Sequence, residues 1–283
     1  MNNEQRRAFH DYYISEDLSK TEEIVKTFPP SIIKFFSDND YNLNALREQK
    51  VWFSSPNNFN DPFDCVVNVD YEKIVYEEFK EKCYRFFTEE DAEKFLNLDE
   101  VKSTLSFLMP MKSNRYKNNI KNLIDSIFVS CFSEQINLTS LRMWGYYANS
   151  HKGFCLEYSL NDFYKASDFR ELIPVFYSNE YSLYYKFKPG SEFRKCKLTL
   201  LFTKAYEWCY EKEWRLIMPD KEHAGEIGFL SPFIIPKRAF LGCKMDKRFR
   251  EDLLSICKEK DITPYEVYMI PNSYKLECRK LDI

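Results

Sequence analysis

The stretch WCYEKEWRLIMP, residues 208–219, sets two carboxylates one residue apart, Glu211 and Glu213, in front of an apolar run from Trp214 to Met218 that closes on Pro219. A short apolar run stopped by proline reads as a buried strand. In extended backbone the side chains at i and i+2 leave the same face, so both acids are expected to crowd one space. Like charges held that close repel, and a chain that keeps them there is expected to use them.

Reading outward from this stretch gives the rest of the fold. Lys197 to Trp208 is expected as a helix leading into the acid pair. Upstream, Ile127 to Ser133 and Phe154 to Tyr158 have the composition of strands, separated by a short helix around Leu141 to Asn149, with Gly153 at the place of a left-handed helix cap. Leu172 to Tyr177 is another extended stretch, followed by a polar, aromatic loop. Ser31 to Ser37, Tyr41 to Gln49 and Lys50 to Ser55 read as a β-α-β opening, and Ala239–Gly242, Asp246–Lys258 and Glu266–Ile270 as a second such unit near the end. PNNFNDPFD, residues 56–64, is turn chemistry. Tyr71 to about Ser126 is helical and highly charged. The expected architecture is α+β: an N-terminal helical extension over 1–30, with a helix from Ser19 that stops before Phe28-Pro29-Pro30. A single α+β domain over 31–283 follows, with a mixed β-sheet core and a helical insertion at about 72–126.

Composition excludes several function classes. With 44% hydrophobic residues in 283, the chain can bury a sizeable core and is not a disordered regulator. A formal net charge of -3 supplies no global pull towards nucleic acid or an anionic membrane. No apolar run is long enough to span a bilayer, and the first residues lack the apolar core of a signal peptide, so a cytoplasmic protein with no membrane partner is expected. The nine cysteines stand singly, with no CxxC pair and only three histidines, so no metal site is expected and the thiols read as reduced and mostly buried.

Three stretches together carry a resemblance: FSSPNNFNDPFDC at 53–65, CFSEQINLTSLRMWGYYANSHKGFCLEY at 131–158 and WCYEKEWRLI at 208–217. In this order they resemble the bacterial family catalogued as domain of unknown function 2971, over about residues 31–245. A remoter resemblance adds chemistry, because EKEWRLIMP is similar to the Glu-x-Glu layout that stands before a strand in ADP-ribosyltransferases. That resemblance implies an ADP-ribosyltransferase-like sheet core and NAD as substrate. It makes Glu213 the catalytic glutamate and Glu211 its upstream partner. Lys34 falls at the first-strand position, where Arg or His is the family's choice, and Ser133, or the Ser54-Ser55 pair, stands for the serine motif. The implied setting is bacterial toxicity or phage defence, with a protein or nucleic acid as acceptor and an inhibitory or defence-system partner protein.

Breaking the bond between nicotinamide and ribose passes through an oxocarbenium-like state that a carboxylate beneath the sugar stabilises. Glu213 would fill that role while Glu211 orients or deprotonates the acceptor. A dinucleotide also wants aromatic faces and a cation, and Arg142, Trp144 and Tyr147 in RMWGYYANSHKG offer both; a buried Arg142 would itself require an anionic partner. As a carboxylate at the mouth of a strand, Glu213 is expected to contribute little to stability. Two other readings remain open: a metal-dependent nuclease with Asp61, Asp64, Glu211, Glu213 and Lys212 around Mg²⁺, and a non-catalytic module that senses a nucleotide or binds a protein.

Overall fold

The computed structural model describes residues 1–65, 71–166, 171–180 and 200–282. Two helices come first, α1 (Asn3–Ser15) and α2 (Leu18–Val25). The Asn2 side chain accepts from the Gln5 amide while the Gln5 side chain accepts from the Asn2 amide, a reciprocal cap that starts α1. Sequence reading missed α1 because the segment is polar, yet Arg6, Phe9 and His10 are buried on one side of it. The 1–30 stretch thus carries two helices, the first of which packs into the core.

After the diproline, β1 (Ser31–Phe36) leads to α3 (Asp40–Arg47), capped by Asn39 and anchored by buried Leu43 and Leu46, and then to β2 (Lys50–Ser54). The helices α4 (Tyr71–Cys83), α5 (Glu89–Leu96) and α6 (Asp99–Asp125) occupy the expected insertion. They bury Cys83, Ala92, Leu96 and Leu105 against one another as a small core of their own. Next come β3 (Ile127–Glu134), α7 (Leu141–Tyr147), β4 (Phe154–Ser159), α8 (Leu160–Lys165), β5 (Glu171–Pro174) and β6 (Phe176–Ser178). The chain ends with β7 (Thr203–Ala205), β8 (Glu213–Pro219), β9 (Gly228–Pro232), β10 (Arg238–Leu241), α9 (Lys247–Glu259), β11 (Thr263–Met269) and β12 (Leu276–Lys280).

The helix expected over Lys197–Trp208 is not formed as such. Residues 197–199 and the polar loop before them lie outside the described residues, and Thr203–Ala205 is a strand paired in parallel with Phe176–Ser178, followed by a 3₁₀ turn over Tyr206–Glu211. Strand pairing between distant segments overrode a local apolar pattern that suits either state.

The fold is mixed α/β, and its main sheet, of ten strands among the described residues, is mostly antiparallel. The pair β10 and β11 is parallel and joined through α9, so the second expected β-α-β unit is present. The first differs: β1 and β2 both run antiparallel to β3 and do not pair with each other. One edge of β3 pairs with β8 from Ile127 to Ser133. Its other edge pairs with β2 at Val129 and with β1 at Ser133 and Glu134. The sheet therefore splits at β3, with β2 leaving from one end and β1 from the other. Backbone between those ends, at Ser130 to Phe132, is open to side chains.

Gly153 serves a purpose other than the expected cap. The left-handed residues of this turn are Asn149, Ser150 and His151, whereas a Cβ on Gly153 would lie 2.0 Å from the Phe36 carbonyl oxygen. Glycine is needed there so that the turn after α7 can pack directly on β1.

Candidate functional site

The acid pair sits where the 3₁₀ turn meets β8. Lys212 between the two glutamates is left-handed, at φ 48° and ψ 46°, so they do not lie along one continuous strand as expected. Both side chains nonetheless reach the same ammonium: Lys204 Nζ donates to Glu211 at 2.6 Å and to Glu213 at 3.0 Å. Tight backbone clamps hold this geometry. Ser133 Oγ and Asn137 Nδ2 both donate to the Glu211 carbonyl, the amide of Asn137 at 2.7 Å. The Glu213 amide donates to the Tyr177 hydroxyl at 2.7 Å, and the Glu213 carbonyl accepts from Arg6 Nη1 at 2.7 Å. Helix α1 thus reaches the site from beneath through a fully buried arginine.

Around the pair stands a buried charge cluster. Arg215 donates through Nε to Glu213 at 2.8 Å and through Nη2 to Asp64 at 2.6 Å, and Lys204 also lies 3.6 Å from Asp64. Asp64, Glu211 and Glu213 are each less than a tenth exposed, with Glu213 at 3%. The expectation that Glu213 is a dispensable surface carboxylate is therefore corrected: it is buried and ion-paired with both Lys204 and Arg215, so its loss strips two buried cations of a shared partner.

The two glutamates diverge in proton affinity. Burial alone would raise Glu213, but the Arg215 guanidinium and the Lys204 ammonium outweigh it and hold that carboxyl well below the usual range. Glu211 is pushed up, first by burial and then by the charge of Glu213, against the opposing pull of Lys204. Its other oxygen accepts from the Tyr147 hydroxyl. Lys204 is stripped of water by burial, yet Glu213 and Glu211 raise its pKa and keep it charged. Two neighbouring carboxyls with separated affinities for a proton are a ready ion and base pair.

A recess of ≈ 160 Å³ opens over this cluster, with Lys34, Ser133, Tyr147, Lys204, Glu211 and Glu213 in its lining. Lys34 enters through the split in the sheet: its Nζ donates to the Cys131 carbonyl at 2.9 Å, on the stretch of β3 that neither β1 nor β2 pairs. The ammonium lies over the Phe132 ring at 5.2 Å, and burial lowers its pKa. Among the described residues no carboxylate forms an ion pair with it, so two of its three donors stay available.

Of the residues singled out in the sequence, Lys34, Ser133, Tyr147, Glu211 and Glu213 converge on this recess. Trp144 does not line it; the ring is fully buried between Ile33, Cys155 and Phe240, with Nε1 donating to the Leu138 carbonyl at 2.7 Å. Arg142 is exposed, not buried, and its guanidinium stacks over Tyr210 at 5.0 Å. On a helix as short as α7, Met143 and Trp144 take the core face and Arg142 is turned outward. Asp64, read from the sequence as a turn residue or as part of an acidic metal site, lines the same recess and is ion-paired with Arg215. Sequence reading did not find Lys204, Asn137, Tyr177 or Arg6, which come from four distant segments. Arg215, two residues after Glu213 on the same strand face, pairs with it as strand geometry allows.

Fold and site together define a mixed α/β protein whose split sheet carries a buried, charge-matched acid pair beneath an open recess. A model of the family described as protein of unknown function (DUF2971) matches residues 143–216, a span that runs from α7 into β8 and contains both glutamates. No curated protein and no solved structure matches the chain.

Proposed function

We propose that the recess cleaves the bond between nicotinamide and ribose in NAD, passing ADP-ribose to a macromolecular acceptor or to water. The observation that carries the reading is the convergence of the acid pair on the recess, with Glu213 gripped by both Arg215 and Lys204 while Glu211 shares only Lys204 and the Tyr147 hydroxyl. An anion fixed beneath a ribose stabilises positive charge developing at its anomeric carbon. The C1′–N bond breaks with its electron pair going to the ring nitrogen, so nicotinamide leaves neutral and needs no acid. The attacking O–H or N–H forms the new bond to C1′ and passes its proton to Glu211, whose raised affinity makes it a stronger base. The similarity of EKEWRLIMP to the ADP-ribosyltransferase layout supports NAD as the substrate, and a setting in toxicity or phage defence rests on that resemblance alone.

The metal-dependent nuclease reading is less favoured, because Lys204 and Arg215 already pair with Asp64, Glu211 and Glu213 and supply the positive charge that Mg²⁺ would bring. The test is NAD loss by the purified protein, with chelator present, with and without cell lysate as acceptor, beside a Glu213→Gln variant whose folding is verified by its melting curve. Chelator-resistant loss that disappears in the variant is expected. An absence of NAD loss in every condition overturns the proposal.

A further inference from the structure

The deep recess is too small for a dinucleotide, since pockets that enclose drug-sized ligands measure about 300–1,000 Å³ and this one ≈ 160 Å³. It does not end at Lys34, however. A second, wider recess of ≈ 570 Å³ shares Lys34, Phe35 and Tyr147 with the first and adds Tyr41, Asn42 and Trp52. Lys34 therefore stands at the passage between the two, with an ammonium that donates to one carbonyl, is attracted by Glu213 from beyond contact distance, and forms no ion pair among the described residues. A buried ammonium with donors to spare at the waist of a site suits an anionic group in the middle of an elongated ligand.

The wider recess carries aromatic faces. Trp52 and Tyr41 meet edge to face, 6.0 Å between centroids at 75°, and Tyr41 is 50% exposed. The indole is held rather than loose, because it packs on Gly228, where a Cβ would come within 2.4 Å of its ring and where φ is +152°. Only glycine lets β9 approach so closely, which fixes the Trp52 ring as a platform.

We propose that this wider recess is the subsite for the purine ring of a nucleotide diphosphate, with Lys34 anchoring the diphosphate at the passage. The subsite deepens the NAD reading by placing the half of the molecule remote from the reacting bond, and it rests on that reading for the occupant of the deep recess. Binding of the purine half alone requires no catalysis, so the two claims separate.

The experiment is calorimetric titration of the full chain with ADP, adenosine and nicotinamide mononucleotide, repeated with Trp52→Ala, Tyr41→Ala and Lys34→Met. ADP is expected to bind, and loss of the indole to weaken it by about 5- to 150-fold, the range measured for a stacked base. Lys34→Met is expected to weaken ADP while leaving adenosine unchanged, and Trp52→Ala to leave nicotinamide mononucleotide unchanged. Tyr41→Ala, on an exposed side chain, gives the answer if Trp52→Ala does not fold. No ADP binding at millimolar concentration, or an affinity that neither aromatic substitution changes, overturns the subsite. ADP binding that depends on Trp52 without NAD turnover keeps the subsite and removes the proposed chemistry. NAD turnover with a KM indifferent to Trp52→Ala and Tyr41→Ala does the reverse.

Discussion

Replacing Lys204 by methionine removes one ammonium from the centre of the site and nothing else of comparable size. Its Nζ touches Glu211, Glu213 and Asp64 at 2.6, 3.0 and 3.6 Å, and the side chain is 7% exposed. Three buried carboxylates would then face Arg215 alone. Breaking a buried pair by deleting one partner costs about 3–5 kcal/mol. An unfolding entropy of about 2.1 cal/mol/K per residue gives, for a chain of 283 residues, about 0.6 kcal/mol/K, so the expected fall in Tm at pH 7 is about 5–8 °C. The pH dependence of the deficit has a definite sign. Without Lys204 the folded-state affinity of the carboxyls for protons rises, so lowering the pH neutralises them and relieves the repulsion; the deficit shrinks between pH 7 and about 4. Differential scanning calorimetry of both proteins across that range reads both effects. A Tm within 2 °C of wild type at pH 7, or a deficit that grows as the pH falls, would refute the charge-matching argument.

Two further predictions concern the surroundings of the site. His10 is buried, donates to the Pro174 carbonyl at 2.8 Å, and has its pKa lowered to about 4 from 6.5, chiefly by burial. Its folded-state value lies below its unfolded one, so the unfolded chain takes up the proton first on acidification. The stability lost between pH 6.5 and 4 from this residue is about 3 kcal/mol, and in His10→Gln the acid limb of the Tm curve should be shallower; parallel curves would place the acid sensitivity elsewhere. At Gly153, a Cβ would meet the Phe36 carbonyl oxygen at 2.0 Å, backbone against backbone. Gly153→Ala is expected to cost about 2 kcal/mol or more through the forced shift of β1, and an unchanged denaturation midpoint would show that the turn after α7 yields freely.

What the sequence made legible follows physical range. Strands β3, β4 and β8 were readable because each is a run of buried apolar residues bounded by polar or turn residues, and α9 because Asp246 caps an amphipathic stretch. The short strands β7 and β9 were not, since they carry few buried side chains and exist through their partners β6 and β2. Glu211 and Glu213 stood out as a pair, but the extended geometry assumed for them failed at Lys212, whose left-handed backbone nothing in the local sequence announces. Lys204 and Arg6 could not be assigned from sequence, because the carboxylate and carbonyl groups that bury them lie on other segments of the chain. Arg142 stands outside because Met143 and Trp144 take the face of α7 that meets the core, a choice its aromatic neighbours do not announce. Local pattern specified elements; the split of the sheet at β3 specified the site.

The central claim is that Glu213 is a fixed anion and Glu211 a base with raised proton affinity. Nicotinamide release from NAD as a function of pH, by wild type, Glu211→Gln and Glu213→Gln at a temperature where all three are folded, tests it most directly. The account expects the wild-type rate to rise with pH through a value above the ordinary glutamate range, that rise to vanish in Glu211→Gln, and Glu213→Gln to be slow at every pH. A wild type that releases no nicotinamide at any pH, or a folded Glu213→Gln that matches it, would contradict the account.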